Sequence, residues 1–445
     1  MQPLRDARGL AVSTASAAAL ERIERALSSL LASRGDVDPH IDEALAFDPD
    51  FVFAHCVRGA ALLLGSADRD DPALRGVLAA LDRLDGRANA RERRHAAGLR
   101  AWQRGNRRAA LDRYGELLTD YPRDVLALHV AHALDFRLGE REMLRDRIAR
   151  VLPHWDAGVP HFGYVLGMHA FGLEETGDYP RAEAAARRSL ELVADNAAAV
   201  HVVAHVLEMQ GRTGEGIAWL ESTRSIWAAN AGFDVHVAWH LALFHIDQDA
   251  IAAALDLYDR PLRPSPASPT TALIDASALL WRLELRGSNV LARWRALARC
   301  WRGKRLRGSR SFYITHAVMA FAGAGEHRRA RRATDLLRKD PATRSANTAH
   351  DLALAVPVCD AILAFARGDY AAAVERIAAV HAQAERCGGS VAQCDVIDLT
   401  LLEAALRGRR ARLAQALAAE RAARRPGSRL TRWLFARAEA AIGSP

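Results

Sequence analysis

Apolar residues recur along this chain at intervals of three and four rather than at every second position. Leu20, Ile23, Leu27, Leu30 and Leu31 put one apolar stripe on residues 16–32, the pattern of an amphipathic helix. No strand-like alternation of any length follows it. Further along, helical stretches are punctuated by glycine at Gly105, Gly139, Gly177, Gly211, Gly287, Gly325, Gly368 and Gly408. Thirty-four residues separate Gly105 from Gly139 and Gly177 from Gly211, while 38 separate Gly287 from Gly325 and 40 separate Gly368 from Gly408. Residues 102–122 show the full grammar. Trp102 closes one helix at Gly105, small residues at Ala109 and Ala110 follow where two helices touch, Tyr114 packs a turn later, and Pro122 stops the second helix.

A repeat of about 34 residues built on these signals predicts an all-α fold, a tetratricopeptide-like solenoid of helical hairpins wound as a right-handed superhelix. Each hairpin has an inner helix before the glycine and an outer helix after it. Inner helices are expected near 90–104, 124–138, 159–176, 196–210, 233–246, 269–286, 309–324, 350–367 and 391–407, lining the concave face. The chain divides into atypical N-terminal helices (1–88), repeats at 89–158, central repeats at 159–260, and C-terminal repeats with a cap at 269–445. Residues 260–270 hold Pro261, Pro264, Pro266 and Pro269. Repeats resume on both sides, so this segment reads as a loop covering the groove rather than a domain linker.

Composition narrows the picture. Half of the 445 residues are hydrophobic but only 6% are aromatic, which favours helices and excludes disordered, collagenous and small disulfide-rich chains. The net charge of +8 is carried almost wholly by arginine, since Lys304 and Lys339 are the only lysines. Arginines cluster at 91–94, 328–332 and 407–412, near helix turns or on outer helices, where a solvated face is expected. With no recognition motif beside them, nucleic acid is not expected as a partner. The five cysteines are odd in number and form no C-x-x-C pair, in keeping with a reducing, cytoplasmic setting. No stretch reaches the roughly 18 uncharged apolar residues of a membrane span. Glu21, Arg22, Glu24 and Arg25 interrupt what would otherwise look like an export signal.

Four stretches are more particular than a bare repeat consensus: GYVLGMHAFGLEE (163–175), AVHVVAHVLEMQGR (199–212), VAWHLALFHID (237–247) and CGGSVAQCD (387–395). Over about 160–430 the sequence resembles the tetratricopeptide repeat protein 38 family. The resemblance implies an all-helical solenoid and supplies no reaction. His169 stands where similar sequences tend to carry tyrosine, and Cys394 where they tend to carry arginine.

The chemistry-bearing resource is histidine. Of 17 histidines, 13 (55, 95, 129, 132, 161, 169, 201, 205, 236, 240, 245, 316 and 350) fall on helices expected to face inward. His201, His205 and Glu208 share one face of a single inner helix, and His236 and His240 repeat the i, i+4 spacing on the next. Two imidazoles one turn apart can share a metal, and a carboxylate one turn further can complete the shell or act as a base. Stacked inner helices lie about 10 Å apart, so the pairs can converge on a divalent metal held by His201, His205, His236 and His240. Alternatively His201, His205, Glu208, His236 and His240 can do acid–base work without metal. Tyr164, His169, Trp239, Asp275, His316, Gln393 and Asp395 are the candidate ligand contacts. The plain alternative is that each histidine is a hydrogen-bonded core residue.

Several enzyme classes drop out. Ala298 stands where a phosphate-binding loop before Gly303-Lys304 needs glycine, and Arg328 takes the third glycine's place after Gly323 and Gly325. The zincin motif H-E-x-x-H and the serine elbow G-x-S-x-G are absent. Cys387 and Cys394 are candidate nucleophiles, although buried free cysteine is the commoner outcome. Two functional readings remain: a groove whose His, Glu and Asp residues hold a small polar ligand, with acid–base or metal-assisted turnover, or a scaffold that binds a peptide or protein without catalysis. Self-association into a homo-oligomer is open in both.

Overall fold

The computed structural model describes residues 4–65, 70–230, 233–386 and 388–442. Cys387 lies outside them. Among the described residues the chain is all α, and its one extended pairing is an isolated bridge between Arg5 and Ala11. The helices fall into two compact units, residues 1–203 with 226–232 and residues 204–225 with 233–445.

The first unit opens with α1 (Ala17–Ala32), α2 (Asp38–Phe47), α3 (Val52–Leu64) and α4 (Pro72–Arg83). Three hairpins follow: α5 (Ala90–Gln103) with α6 (Arg107–Asp120), α7 (Val125–Leu138) with α8 (Arg141–Val151), and α9 (Phe162–Glu175) with α10 (Tyr179–Leu192). Along α11 (Ala197–Met209) the chain passes into the second unit. There come α12 (Thr213–Ser222), the single turn α13 (Arg224–Trp227), α14 (Asp234–Asp247) with α15 (Ile251–Asp259), and α16 (Thr270–Leu285) with α17 (Leu291–Arg302). The array continues with α18 (Ser311–Gly323) and α19 (His327–Lys339), the short α20 (Pro341–Ser345), then α21 (Ala349–Phe365) and α22 (Tyr370–Ala378). It ends in α23 (Val391–Arg407), α24 (Ala411–Arg424) and α25 (Arg429–Ile442). Every inner helix stands within three residues of its expected bounds.

Local chemistry explains the boundaries. Asn89 and Glu92 close a capping box on α5, as Thr348 and Asp351 do on α21 and Ser390 and Gln393 on α23. The turn glycines Gly105, Gly139, Gly177, Gly211, Gly287, Gly325 and Gly368 all adopt positive φ, the left-handed cap that lets a helix stop without a Cβ clash. Gly408 departs from the expectation. Its φ is −81°, and Arg409 takes the left-handed position at 55°. Asp249 does the same at 65° after α14, where the sequence offers no glycine.

In the first unit, Ile23, Leu27 and Leu31 of the predicted stripe are buried on α1. Gly98 of α5 lies against the Tyr114 ring, so close that an added Cβ would sit 2.8 Å from it. The arginines at 91–94 do not all face solvent, contrary to expectation. Arg91 is 2% exposed and reaches Asp124 at 3.0 Å and Asp6 at 3.5 Å, with its guanidinium 4.3 Å from the Phe53 ring centroid. The N-terminal segment folds inward and supplies one of the two buried carboxylates, Asp6. His161 is not helical either. It sits just before α9 at φ 72°, its ring bonded to Arg8 and Ser28.

The second unit closes on itself. α16 packs against α14, α18 and α23, and nearly all its residues are buried. Trp281 of α16 donates to Thr400 of α23 at 2.9 Å, and Trp301 of α17 donates back to Ser277 at 3.0 Å. The turn after α24 returns to the start of the unit: Gly427 touches Gly211, and Ser428 and the Arg429 amide hold the Asp247 carboxylate at the end of α14. The proline-rich segment lies wholly inside this unit, its carbonyls taking hydrogen bonds from Cys300 (Pro264) and Lys304 (Pro266). No described helix is long and apolar enough to cross a membrane.

Candidate functional site

The inner helices of the second unit carry a row of buried ionisable groups. On α11, His205 is fully buried and Glu208 nearly so. On α14, His240 is fully buried and the His236 side chain is 20% exposed. The spacing that places His236 and His240 on one face also stacks their rings edge to face at 4.9 Å, with His205 4.5 Å from His240. One ring nitrogen from each of His205, His236 and His240 lies within 4.8 Å of the others. His201 stands one turn before His205 on the same helix, in the part of α11 that belongs to the first unit.

Each α14 histidine is held from behind by a carboxylate. His240 Nδ1 lies 3.0 Å from Glu208 Oε2, and His236 Nδ1 lies 3.0 Å from Asp275 Oδ2 on α16. An imidazole donating its Nδ1–H to a carboxylate keeps the Nε2 lone pair as its reactive end. The two rings differ electrically. Burial, then the neighbouring His205, His236 and Arg282, push His240 well below the ordinary histidine range. For His236 burial works the same way, but the Asp275 carboxylate outweighs it and the ring is raised. Two environments thus split a like pair into a neutral imidazole and a readily protonated one, the division that acid–base work needs.

Three arginines complete the row. Arg425 donates to Glu208 Oε1 at 3.3 Å and lies 3.6 Å from Asp395, which also forms a two-point bond with Arg421. Arg421 and Arg425 hold the Asp395 carboxyl below its usual range against the opposing effect of burial. Arg282 donates to the Ala392 carbonyl at 2.8 Å, and burial lowers it to about 10. Trp239 stacks on His236 at 5.4 Å with 13° between the planes, and Arg282 lies 5.3 Å from its ring centroid. The fully buried Trp239 indole N–H has no hydrogen-bond partner among the described residues.

The remaining candidates are dispersed. Tyr164 and His169 belong to the first unit, Tyr164 half-buried beside His161 and His169 buried on α9. Gln393 spends its carbonyl on the α23 cap. His316 donates from Nδ1 to the Phe312 carbonyl, while its buried Nε2 lacks a partner. His316, Asp351, Gln393 and Cys394 help line a cavity of about 20 Å³ between α18, α21 and α23, room for one or two waters and not for a metabolite. The imidazole cluster is not part of its lining. Glu175, unusual at a helix C-terminus, has its arginine: Arg141 lies 3.5 Å away.

Sequence reasoning missed Arg282, Arg421 and Arg425. Arg282 had a signal, being a lone cation in the apolar run of α16, where charge survives only if paired. Arg421 and Arg425 had none, because they sit in an arginine-rich stretch whose other members are exposed.

The chain matches no protein family model. Among solved structures it is similar to the human IFIT1 dimer with PPP-AAAA, at 13% identity and TM-score 0.42, covering 95% of each chain. It is also similar to the human IFIT1 dimer with m7Gppp-AAAA, at 13% identity and TM-score 0.43, covering 95% of this chain and 94% of that one. Those proteins hold nucleic-acid ligands. The dismissal of nucleic acid, drawn from scattered arginines and missing motifs, is therefore withdrawn. The hairpins from α5 onward make the chain an all-α, tetratricopeptide-like helical array.

Proposed function

We propose that the second unit is a binding module for a small polar ligand, centred on His205, His236 and His240, with Glu208, Asp275 and Trp239 around them. The observation that supports it is the convergence of these three imidazoles, two of them braced by carboxylates, inside the buried part of the unit. Burying six or more ionisable groups costs stability that well-packed hydrophobic residues would not, and such clusters concentrate at functional sites. The split between His236 and His240 suits proton transfer to and from a bound ligand, so turnover belongs to this proposal. Membership of the tetratricopeptide repeat protein 38 family and a cytoplasmic location are part of the same reading, the first supported by the motifs at 163–175, 199–212 and 237–247, the second by the buried Cys56, Cys300 and Cys359, which form no disulfide among the described residues.

The test is native mass spectrometry of the purified full chain beside H240Q. A small molecule present in the wild type and lost from a folded H240Q supports the reading. Identical ligand-free spectra, together with a folded H240Q that differs only in stability, would sink it and leave the histidines as core residues.

A further inference from the structure

We infer that His205, His236 and His240 are ligands of one divalent metal ion of the zinc type. The inference deepens the small-ligand reading and rests on the same cluster. Three imidazole nitrogens within 4.8 Å of one another need draw together by at most about 1.5 Å to reach the roughly 3.3 Å separation set by zinc–nitrogen bonds of about 2.0–2.1 Å in a tetrahedron.

The surroundings are independent of that convergence and point the same way. Glu208 on His240 and Asp275 on His236 hold Nδ1 at 3.0 Å each, which fixes the ring orientation as outer carboxylates do for metal-ligating histidines. The Trp239 N–H, on a ring 4.7 Å from His240 and 5.4 Å from His236, is a donor without an acceptor among the described residues. A buried donor left so is rare and costs about 1–3 kcal/mol, and an anionic oxygen in the cluster would satisfy it.

The experiment uses the full chain, stripped with a chelator and titrated with Zn²⁺ alone and then Co²⁺ alone, with folding followed by circular dichroism. The expected result is one tight equivalent of Zn²⁺ and, for Co²⁺, the visible bands of a tetrahedral site. H205Q and H240Q lose binding at least 100-fold, while E208Q and D275N weaken it about 10- to 100-fold through the carboxylates alone. H236Q, at the most exposed of the three positions, keeps the test alive should the fully buried variants not fold. A folded, stripped protein that takes up no Zn²⁺, or folded histidine variants that bind like the wild type, would overturn the inference. The two readings fail separately. A small molecule carried by metal-free protein removes the metal and keeps the ligand, whereas tight Zn²⁺ with no small molecule does the reverse.

Discussion

Arg425 donates to Glu208 across 3.3 Å, joining residues 217 positions apart. Glu208 in turn holds His240, so the end of the chain braces the imidazole cluster. Removing one partner of a buried ion pair leaves the other charge uncompensated and costs about 3–5 kcal/mol. R425A should therefore lower the urea midpoint of the second unit strongly, and R425A/E208Q should recover part of that loss. A double variant whose loss equals the sum of the singles would show that the pair does not interact.

Arg91 and Arg94 lie in one sequence cluster and should behave differently. Arg91 is buried between Asp6 and Asp124, so R91A is expected to cost about 3–5 kcal/mol. Arg94 pairs with Asp120 at the surface, and R94A is expected to cost about 1 kcal/mol or less. Chemical denaturation of the two variants decides it, and equal losses would contradict the buried placement of Arg91.

Gly98 and Gly105 test two different demands for glycine. At Gly98 an added Cβ meets the Tyr114 ring at 2.8 Å, and overpacking of that kind costs about 1–3 kcal/mol. At Gly105 nothing lies near, and the cost of alanine is the left-handed φ of 85°, about 1–2 kcal/mol. G98A/Y114F should not relieve the clash, since the ring rather than the hydroxyl is touched, whereas G98A/Y114L should. Thermal melts of the four variants suffice.

Acid should weaken the second unit through His316. Burial pushes this ring down to about 4, against roughly 6.5 in an unfolded chain. Above about 6.5 both states are neutral and the native state keeps its advantage. As pH falls from there toward 4, the unfolded chain takes up a proton that the folded one refuses, so stability drops by roughly 3 kcal/mol across that window. H316Q cannot titrate, so its deficit relative to wild type should shrink between pH 7 and pH 4.5. His129 and His132 in the first unit are lowered to about 4 and about 3 by burial, and they leave that difference untouched. A deficit independent of pH would mean that His316 titrates normally.

Most of the repeat architecture was legible because it is local. The 3.6-residue period, glycine turns and capping residues such as Asn89 and Ser390 act within a few positions, so the inner helices could be placed from the sequence. The histidine row was legible for the same reason, since i, i+4 spacing on one helix needs no tertiary knowledge. The braces were not. That Glu208 takes His240 and Asp275 takes His236 depends on which helices stack and at what height. Arg425 reaching Glu208 depends on the array turning back on itself. The left-handed turns at Asp249 and Arg409 show the reverse limit: packing can impose a turn where the local signal points one residue away or is missing.

An open array of hairpins has two free ends, from which it can fray, and it can gain or lose a unit with little harm elsewhere. The contact of Gly427 with Gly211, with Ser428 on Asp247 beside it, takes that freedom from the second unit. Its number of hairpins is fixed by closure. Deleting the α18–α19 hairpin should do more than subtract one increment of stability, because the two ends could no longer meet. Melting should be all-or-none rather than progressive from a terminus.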